Sequence, residues 1–538
     1  KSPHCPRMPP GPGRQAASDV DQDVFRRLLR QWERKRERNA LRRAYRDMHV
    51  ILNYLGASVP TYMRDSLSVV CGWPGKAVTA LAARCMWDGI TVPSGAEDPF
   101  DLSMLLHANR FSMEVPQAID AELTYSCAFM ATLPGDVQAG DPAVIVSSAS
   151  AEWATGIWDY RRRALSAGLV VTAVDDIGRP TALVMMTPET VTAMTAGEGH
   201  GWQVEYTRRH GLGRTPIELL AHQPSIARPF GRSRITREVM SITDRAVRAG
   251  YRMEISSDLY AAPALLLLGA DSADFVDEDG NKTPLWTWYM GRMKTLPRDE
   301  DGQLPQLQVI PQQAMTPFLE MRRSLAAEFS AASCVPISSL GIVQDNPSSA
   351  EAIYASKEDL VIEATALNRA NGYALDRVIQ NMVLLRDGGS ACDMGDELAR
   401  VSTRWRNPAM PSVVSQSDAM VKQISAIPEL AQTDVALEEL GYTAEQIIRI
   451  RSQIRRAQAA SVLDKLLAGR AEDEAGPDEE PEDAQDPDTP EDESPEEAED
   501  ERDDDQDQGQ DDEDERGRRR RRRRRRRVRG DDDDEAGR

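Results

Sequence analysis

The chain has 538 residues, with 87 Asp and Glu against 65 Lys and Arg and a formal charge of −22. The charge is lopsided: residues 471–538 hold 32 acids and 14 Arg, while the remainder holds 55 acids and 51 bases and is nearly neutral. The length fits roughly two to four domains, and no apolar run approaches the ~18 residues of a membrane span. The best stretch, Ala261 to Ala270, is short and contains Pro263. Lys1–Gly13 has no apolar signal core, so no secretory peptide is expected. Cys5, Cys71, Cys85, Cys127, Cys334 and Cys392 are scattered singly, which reads as buried, reduced thiols of a cytosolic product.

Residues 1–18, rich in Pro, Gly and Ser, are expected to be disordered. Val24, Leu28, Leu29, Trp32, Leu41, Tyr45 and Ile51 then predict a helix over 24–56, closed by Leu55-Gly56. Its surface is basic: ten Lys and Arg between Arg26 and Arg46 face only Glu33, Glu37 and Asp47. Such a face contacts phosphate or an acidic partner, or is simply solvated. From Tyr125 to about Gln223 the period shortens. Tyr125–Leu133, Val144–Val146, Leu169–Val174, Ala182–Met186 and Trp202–Tyr206 predict strands, and the turn Asp175–Pro180 makes 169–186 a hairpin. A helical patch is predicted at Glu152–Ala167. The class is α+β, because strands and helices alternate too irregularly for a doubly wound sheet.

Helix is predicted again over Ile235–Tyr260, followed by a non-helical stretch, 263–313, with a turn at Asp277–Asn281 and the aromatic strand Trp286-Thr287-Trp288-Tyr289. Thr316 as cap and Pro317 as first helical residue open a further helix, which Val335-Pro336 stops. After a loop with Gly341 and Pro347, the capping box Ser348-Ser349-Ala350-Glu351 starts a long helix through Ile353, Leu360, Ala364, Leu367, Leu375 and Ile379. A short helix, 434–440, ends at Gly441, and Thr443-Ala444-Glu445-Gln446 caps a last one with apolar positions continuing to Leu467, as in a packed helix. Beyond Arg470 an acidic run is followed by ten consecutive Arg, 518–527, and by Asp531–Glu535. This tail has almost nothing to bury and is expected to be disordered.

No motif for catalysis stands out. Gly72-Trp73-Pro74-Gly75-Lys76-Ala77 has two residues between its glycines where a phosphate loop has four, and Ala77 in place of the magnesium-binding hydroxyl. The Asp277 turn lacks the glycine position and closing acid of a calcium loop. His4, His49, His107, His200, His210 and His222 show no ligand spacing, and there is no GxSxG. No enzyme, metal or cofactor is expected. The helices around Gly441, the second with Arg449, Arg451, Arg455 and Arg456, leave one alternative: a helix-turn-helix DNA-binding regulator.

Four stretches resemble the portal proteins of tailed bacteriophages, specifically the siphovirus-type family. Gly231-Arg232-Ser233-Arg234-Ile235, after the Pro-rich lead Gln223–Phe230, looks like the start of that family's stem helix. Asn346 to Ile353, preceded by Val335-Pro336 and Leu340-Gly341, is similar to the region between the second stem helix and the long helix below the crown. Trp73 to Gly89 is similar to an early helix ending in RxxxxG (Arg84 to Gly89), and Tyr54-Leu55-Gly56 to the close of the first helix. The resemblance spans about 24–470.

It implies a portal-like fold: a disordered N-terminus 1–23, an α+β wing 24–233, a stem helix 234–262, a β-rich clip 263–313 and a second stem helix 314–336. A tunnel loop 337–349, a long helix with wing and crown 350–470, and the disordered acidic and Arg-rich tail 471–538 would follow. It also implies a homo-oligomeric ring of about twelve copies at one capsid vertex of the virion. Double-stranded DNA would pass through that channel without sequence reading, and assembly would occur in the host cytoplasm. Terminase large subunit, head-tail adaptor, major capsid and scaffolding proteins would be partners, with no membrane. The tunnel-loop candidates are Leu340, Gly341, Asp345, Asn346, Pro347 and Ser348, and the clip-interface candidates Trp286, Trp288 and Tyr289. Outside the resemblance, Arg518, Arg522 and Arg527 are candidates for contact with a polyanion.

Overall fold

The computed structural model describes residues 22–50, 52, 68–92, 98, 100–197, 201–260, 264–268, 306–310, 314–342, 355–409, 413–442 and 444–473. The chain divides into two units, Lys1–Ala457 and Gln458–Arg538. In the second, the described residues form the C-terminal part of a single helix.

The first unit is layered. Helix α1 (Gln22–Arg46) lies on a five-stranded antiparallel meander of β4 (Ala154–Asp159), β5 (Ala164–Val174), β6 (Pro180–Met186), β7 (Thr190–Ala196) and β8 (Trp202–Arg209). Phe25, Leu28 and Trp32 of α1 bury against Ile157, Leu169, Leu183 and Met185. The opposite face of the meander meets a three-stranded sheet ordered β3 (Val144–Ser150), β2 (Cys127–Pro134), β9 (Ile217–Ala221). Strand β2 is buried on both faces: Phe129, Ala131 and Leu133 point to the meander, Ala128 and Met130 to a helical layer. That double burial explains its unbroken apolar run. The helical layer contains α2 (Trp73–Ala82), α3 (Leu102–Ala108), α4 (Phe111–Tyr125) and the long α7 (Glu358–Asp387), which buries Leu360, Ala364, Leu367, Leu375 and Ile379 as its spacing predicts. A two-stranded ribbon, β1 (Trp87–Thr91) with β12 (Ser402–Trp405), flanks α7. Gly372 of α7 admits it, since a Cβ there would come within 3.3 Å of Thr403 Oγ1.

Out of this body runs a helical hairpin, α5 (Arg237–Tyr260) and α6 (Thr316–Ser333). Val239, Ile242, Ala246 and Ala249 bury against Leu325, Ala326 and Phe329, and the small residues let the two backbones approach. At the far end the chain pairs antiparallel as β10 (Ala264–Leu268) and β11 (Gln306–Ile310), with Ala264 opposite Ile310. After α7 come α8 (Asp396–Ala399), α9 (Val413–Ala426), α10 (Asp434–Glu439) and α11 (Ala444–Asp473).

Several sequence expectations are corrected. The first helix stops at Arg46, where His49 N–H reaches Ala44 O at 2.8 Å around a left-handed Met48. This closure needs no glycine, and it releases Val50 to pack on the core; Leu55-Gly56 lie outside the described residues. Glu152–Ala167 is not helical but the β4–β5 hairpin, turned by Asp159, whose carboxylate accepts from Arg161 and Arg162 N–H. Ala154, Thr155, Gly156 and Ile157 are all buried, so the strand shows no alternation, and spacing alone mimics a helix. Arg84 to Gly89 is the turn after α2 and the start of β1. Thr316 is the first helical residue rather than the cap, which is Met315 without a side-chain bond. Cys71, Cys85 and Cys127 are buried thiols, whereas Cys334 and Cys392 are exposed. In α11 Ile447 is buried and Ile450 half-buried as its spacing predicts, whereas Ile454 is exposed.

One buried carboxyl yields a test. Glu122 of α4 is fully buried and accepts from Asn371 Nδ2 of α7 at 2.7 Å. Burial pushes its carboxyl up to about 8, with the Asn371 bond opposing. The folded chain therefore holds a proton that the unfolded chain releases above its ordinary carboxylate value, and folding stability falls as pH rises through this window. Glu122→Gln should unfold at a higher temperature than the parent at pH 8, by up to about 1.4 kcal/mol per pH unit above the unfolded value, and the gap should close near pH 4.5. Thermal unfolding of both proteins from pH 5 to 8 checks this; a gap independent of pH would contradict it.

Candidate functional site

The hairpin is joined to the body through the segment Gly231-Arg232-Ser233-Arg234. Gly231 has φ +63°, and a Cβ there would lie 2.1 Å from the carbonyl oxygen of His222. The position therefore demands glycine for both conformation and space. Arg232 N–H donates to that same carbonyl at 2.8 Å, and Arg234 N–H donates to Leu123 O at 2.9 Å. Ser233 Oγ donates to Thr124 O at 2.5 Å and accepts from Ile235 N–H at 3.0 Å, so the segment is stitched to the end of α4 just before α5 begins.

This stitching aims the Arg234 side chain, 4% exposed, into a buried joint. Its Nε donates to Ala77 O of α2 at 2.7 Å, one terminal nitrogen to Ser333 O at the end of α6, and the other to the Glu363 carboxylate of α7. A cation at the last carbonyl of α6 also meets the negative end of that helix. Glu363 Oε1 is held by His222 Nε2 and Gln223 Nε2, both at 3.0 Å, while His222 Nδ1 lies 2.8 Å from Arg232 O. Burial alone would raise the Glu363 carboxyl, but the His222 bond and the Arg234 charge outweigh it and hold it below the usual carboxylate range. One planar guanidinium thus ties the start of α5, the end of α6, α2 and α7.

Further polar ties hold the neighbouring elements. Tyr45 OH of α1 donates to Asp244 Oδ1 of α5 at 2.8 Å. Glu218 of β9 pairs with Arg377 of α7 at 3.1 Å; burial pushes the Glu218 carboxyl up to about 7 against the pull of Arg377 and Arg214. Trp73 of α2 lies on Phe329 of α6, ring centroids 5.3 Å apart.

Of the tunnel-loop candidates, Leu340 ends a single 3-10 turn, Ile337–Leu340, and packs with Ile342 on the base of the hairpin. Gly341, at φ +82°, closes the turn. Asp345, Asn346, Pro347 and Ser348 lie outside the described residues, as do Trp286, Trp288, Tyr289, Arg518, Arg522 and Arg527. Of the predicted groups, Leu340 and Gly341 are the members among the described residues, side by side at the base of the hairpin. The Arg234 joint was not identified as a site from sequence, although its motif carried the family resemblance. Its partners lie 129 and 141 residues apart in the chain, beyond any local spacing rule. The turn before α11 has Gly441 at φ +88°, and Arg451 there pairs with Asp434 of α10 at 2.6 Å. Among the described residues no helix is long and apolar enough to cross a membrane.

Two curated relatives match. The portal protein of Mycobacterium phage D29 is 25% identical over 407 residues, 75% of this chain and 81% of its own. That of Mycobacterium phage L5 is 24% identical over 409 residues, with the same coverage. The chain is similar to these phage portal proteins over three quarters of its length. No protein-family model matches it. Solved structures with some likeness to this chain include the neck of an empty GTA particle computed with C6 symmetry, 15% identical with TM-score 0.37, covering 66% of this chain and 86% of that one. The neck of a native GTA particle computed with C12 symmetry is 15% identical with TM-score 0.35, covering 65% and 84%. The motif that carried the resemblance, Gly231 to Ile235, is the stitched segment that delivers Arg234 to the joint.

The joint makes a measurable demand. Lysine at position 234 keeps the charge but offers one compact ammonium where three divergent acceptors must be met. Arg234→Lys should lose about 3 kcal/mol of folding stability at pH 7 by denaturant unfolding. Because the Glu363 carboxyl is depressed, the joint's contribution is present above the unfolded carboxylate value and is lost as pH falls through the folded one. The deficit should accordingly shrink in acid. A loss below about 0.5 kcal/mol at pH 7 would show that any cation suffices.

Proposed function

We propose that the chain is a non-enzymatic subunit of a closed ring at one vertex of a phage capsid, its channel passing double-stranded DNA during packaging and ejection. The observation that carries this reading is the helical hairpin α5–α6, ended by the antiparallel pair β10–β11 and fixed at its base by Arg234. That order suits two stem helices with a clip between them, in a chain related to portal proteins over three quarters of its length. On this reading 24–233 is wing, 234–262 and 314–336 stem, 263–313 clip, 337–349 tunnel loop and 350–470 long helix with wing and crown. Trp286, Trp288 and Tyr289 would then face a neighbouring subunit or a head-tail adaptor, and terminase would dock on the ring. The nearly neutral body up to residue 470 supports a conduit, since DNA that must slide cannot be gripped along its length.

A lone subunit leaves apolar side chains uncovered. Ile362 and Tyr373 of α7 are 60% and 70% exposed, and Leu319 of the second stem helix is 50% exposed. Head-to-tail packing of copies covers such faces and closes into a ring when the rotation permits. Negative-stain microscopy and mass photometry of the purified protein should show closed rings of about twelve copies. A stable monomer at micromolar concentration and moderate salt would contradict the reading.

A further inference from the structure

Helix α1 is tied to the sheets by neutral side chains, and several of its cations are left over. Gln31 Nε2 donates to Thr155 Oγ1 at 3.0 Å and to Gly156 O at 2.8 Å, Trp32 Nε1 to Glu152 O at 2.8 Å, and Asn39 Nδ2 to Ala151 O at 2.7 Å. Towards the end of the helix Arg43 pairs with Glu152 and Arg46 with Asp120, both at 2.9 Å. Arg34, Lys35, Arg38 and Arg42 have no ion pair among the described residues, and Arg42 spends one nitrogen on Tyr125 O at 2.5 Å. Arg34, Arg38 and Arg42 follow one another at four-residue spacing, so like charges repel along one face of the helix. Burial, then Arg38, pushes the Arg42 guanidinium down to about 10. Burial, then Arg38, lowers the Lys35 ammonium too, with Arg42 and Arg34 adding to the effect and Cys127 opposing it. The Cys127 thiol is itself buried and pushed up to about 12, so it supplies no negative charge near neutral pH.

Arg34, Lys35 and Arg38 line a cavity of about 500 Å³ between α1 and strands β2 and β4. This is the size of a small-ligand site, and its lining contains no carboxylate. The neighbouring Glu152 has both oxygens engaged, one by Arg43 at 2.9 Å and one by Tyr125 OH at 3.1 Å. Tyr125 and Phe230, both half-buried, line the same cavity, so aromatic surface and unpaired cations share one space. Both rings are held in place: Tyr125 through its hydroxyl on Glu152 and its carbonyl on Arg42, and Phe230 against Phe129, ring centroids 6.5 Å apart.

That combination discriminates between anions. Guanidinium groups pair strongly with phosphate, and an aromatic face stacks on any base. An acidic peptide would use the cations and leave the rings idle. A duplex keeps its base faces covered by their neighbours and would do the same. An unpaired nucleotide uses both.

We propose that the cavity beside α1 is a nucleotide-binding site, with Arg34, Lys35 and Arg38 taking the phosphate and Tyr125 and Phe230 the base. The nucleotide is either free or one unpaired unit of a single strand. The site goes beyond the conduit function and does not rest on it.

Photochemical coupling reads the site directly, because irradiated 5-iodouracil bonds to an aromatic ring that it stacks upon. The full-length protein is irradiated with 5-iododeoxyuridine triphosphate, or with a single strand of about ten nucleotides carrying one 5-iododeoxyuridine, and the adducts are mapped by mass spectrometry. Adducts should form at Tyr125 or Phe230, in higher yield than at Tyr373, a more exposed ring outside the cavity. Adduct from the triphosphate would identify a free nucleotide as sufficient, and adduct from the strand alone would identify single-stranded nucleic acid as the source. Arg34→Glu with Arg38→Glu, two exposed positions, should lower the yield in the cavity about fivefold. The yield at Tyr373 and the thermal unfolding midpoint should stay in place. Polyglutamate of equal charge should leave the adduct intact. Absence of adduct at both rings with both probes, a yield no higher than at Tyr373, or a yield indifferent to the double substitution would overturn the proposal. Displacement by polyglutamate would overturn it in favour of an acidic peptide.

Discussion

A guanidinium withdrawn from water must have its donors matched, and this single requirement organises the chain. Arg234 sits where four helices converge and meets two backbone carbonyls and one carboxylate. Removing one partner would leave an uncompensated buried charge, a penalty of about 3–5 kcal/mol. The joint is therefore close to all-or-none, and each surrounding feature serves to present it. Gly231 allows the chain to fold back on His222, Ser233 locks the register against α4, and α7 brings Glu363 at the right height.

The consequence follows from geometry. The α5–α6 hairpin has its own apolar seam, Val239 to Ala249 against Leu325 to Phe329, which holds the two helices together over the half of α5 nearest its base. What fixes its direction relative to the sheets and the helical layer is the base, where Arg234, Trp73 on Phe329 and Tyr45 on Asp244 act together. In the proposed ring, small angular errors at each hairpin would accumulate around the circle. A planar group with fixed donor directions limits such errors better than a flexible ammonium would. The exposed Arg245–Glu328 pair between α5 and α6 contributes little by comparison.

Much of this was legible in the sequence, and the failures share a cause. Helices α5 and α6 and the first half of α7 follow from local periodicity, because each has a dry stripe and a wet face, while the 169–186 hairpin follows from its turn, Asp175–Pro180, and its β-branched content. Strand β4 was misread because both its faces are buried, and β7 and β9 went unread in a segment where other strands stood out. Helix α4, with Phe111, Val115, Ala118, Ile119 and Leu123 in a clear stripe, could have been found by the same rule and was passed over. The Arg234 joint is different in kind. The motif was visible and carried the resemblance to portal proteins, but its meaning depends on Ala77, Ser333 and Glu363, which only the fold assembles.

The claim that one buried group couples the α5–α6 hairpin to the elements at its base is tested most directly by hydrogen exchange. Glu363→Gln preserves size and one acceptor but removes the charge that Arg234 requires. If the joint is a single cooperative unit, amides at 237–247, 325–334 and 360–368 should all exchange faster in the variant, and by a similar factor. Faster exchange confined to 360–368, with both hairpin segments unchanged, would show that the hairpin is held independently of Arg234 and would contradict the account.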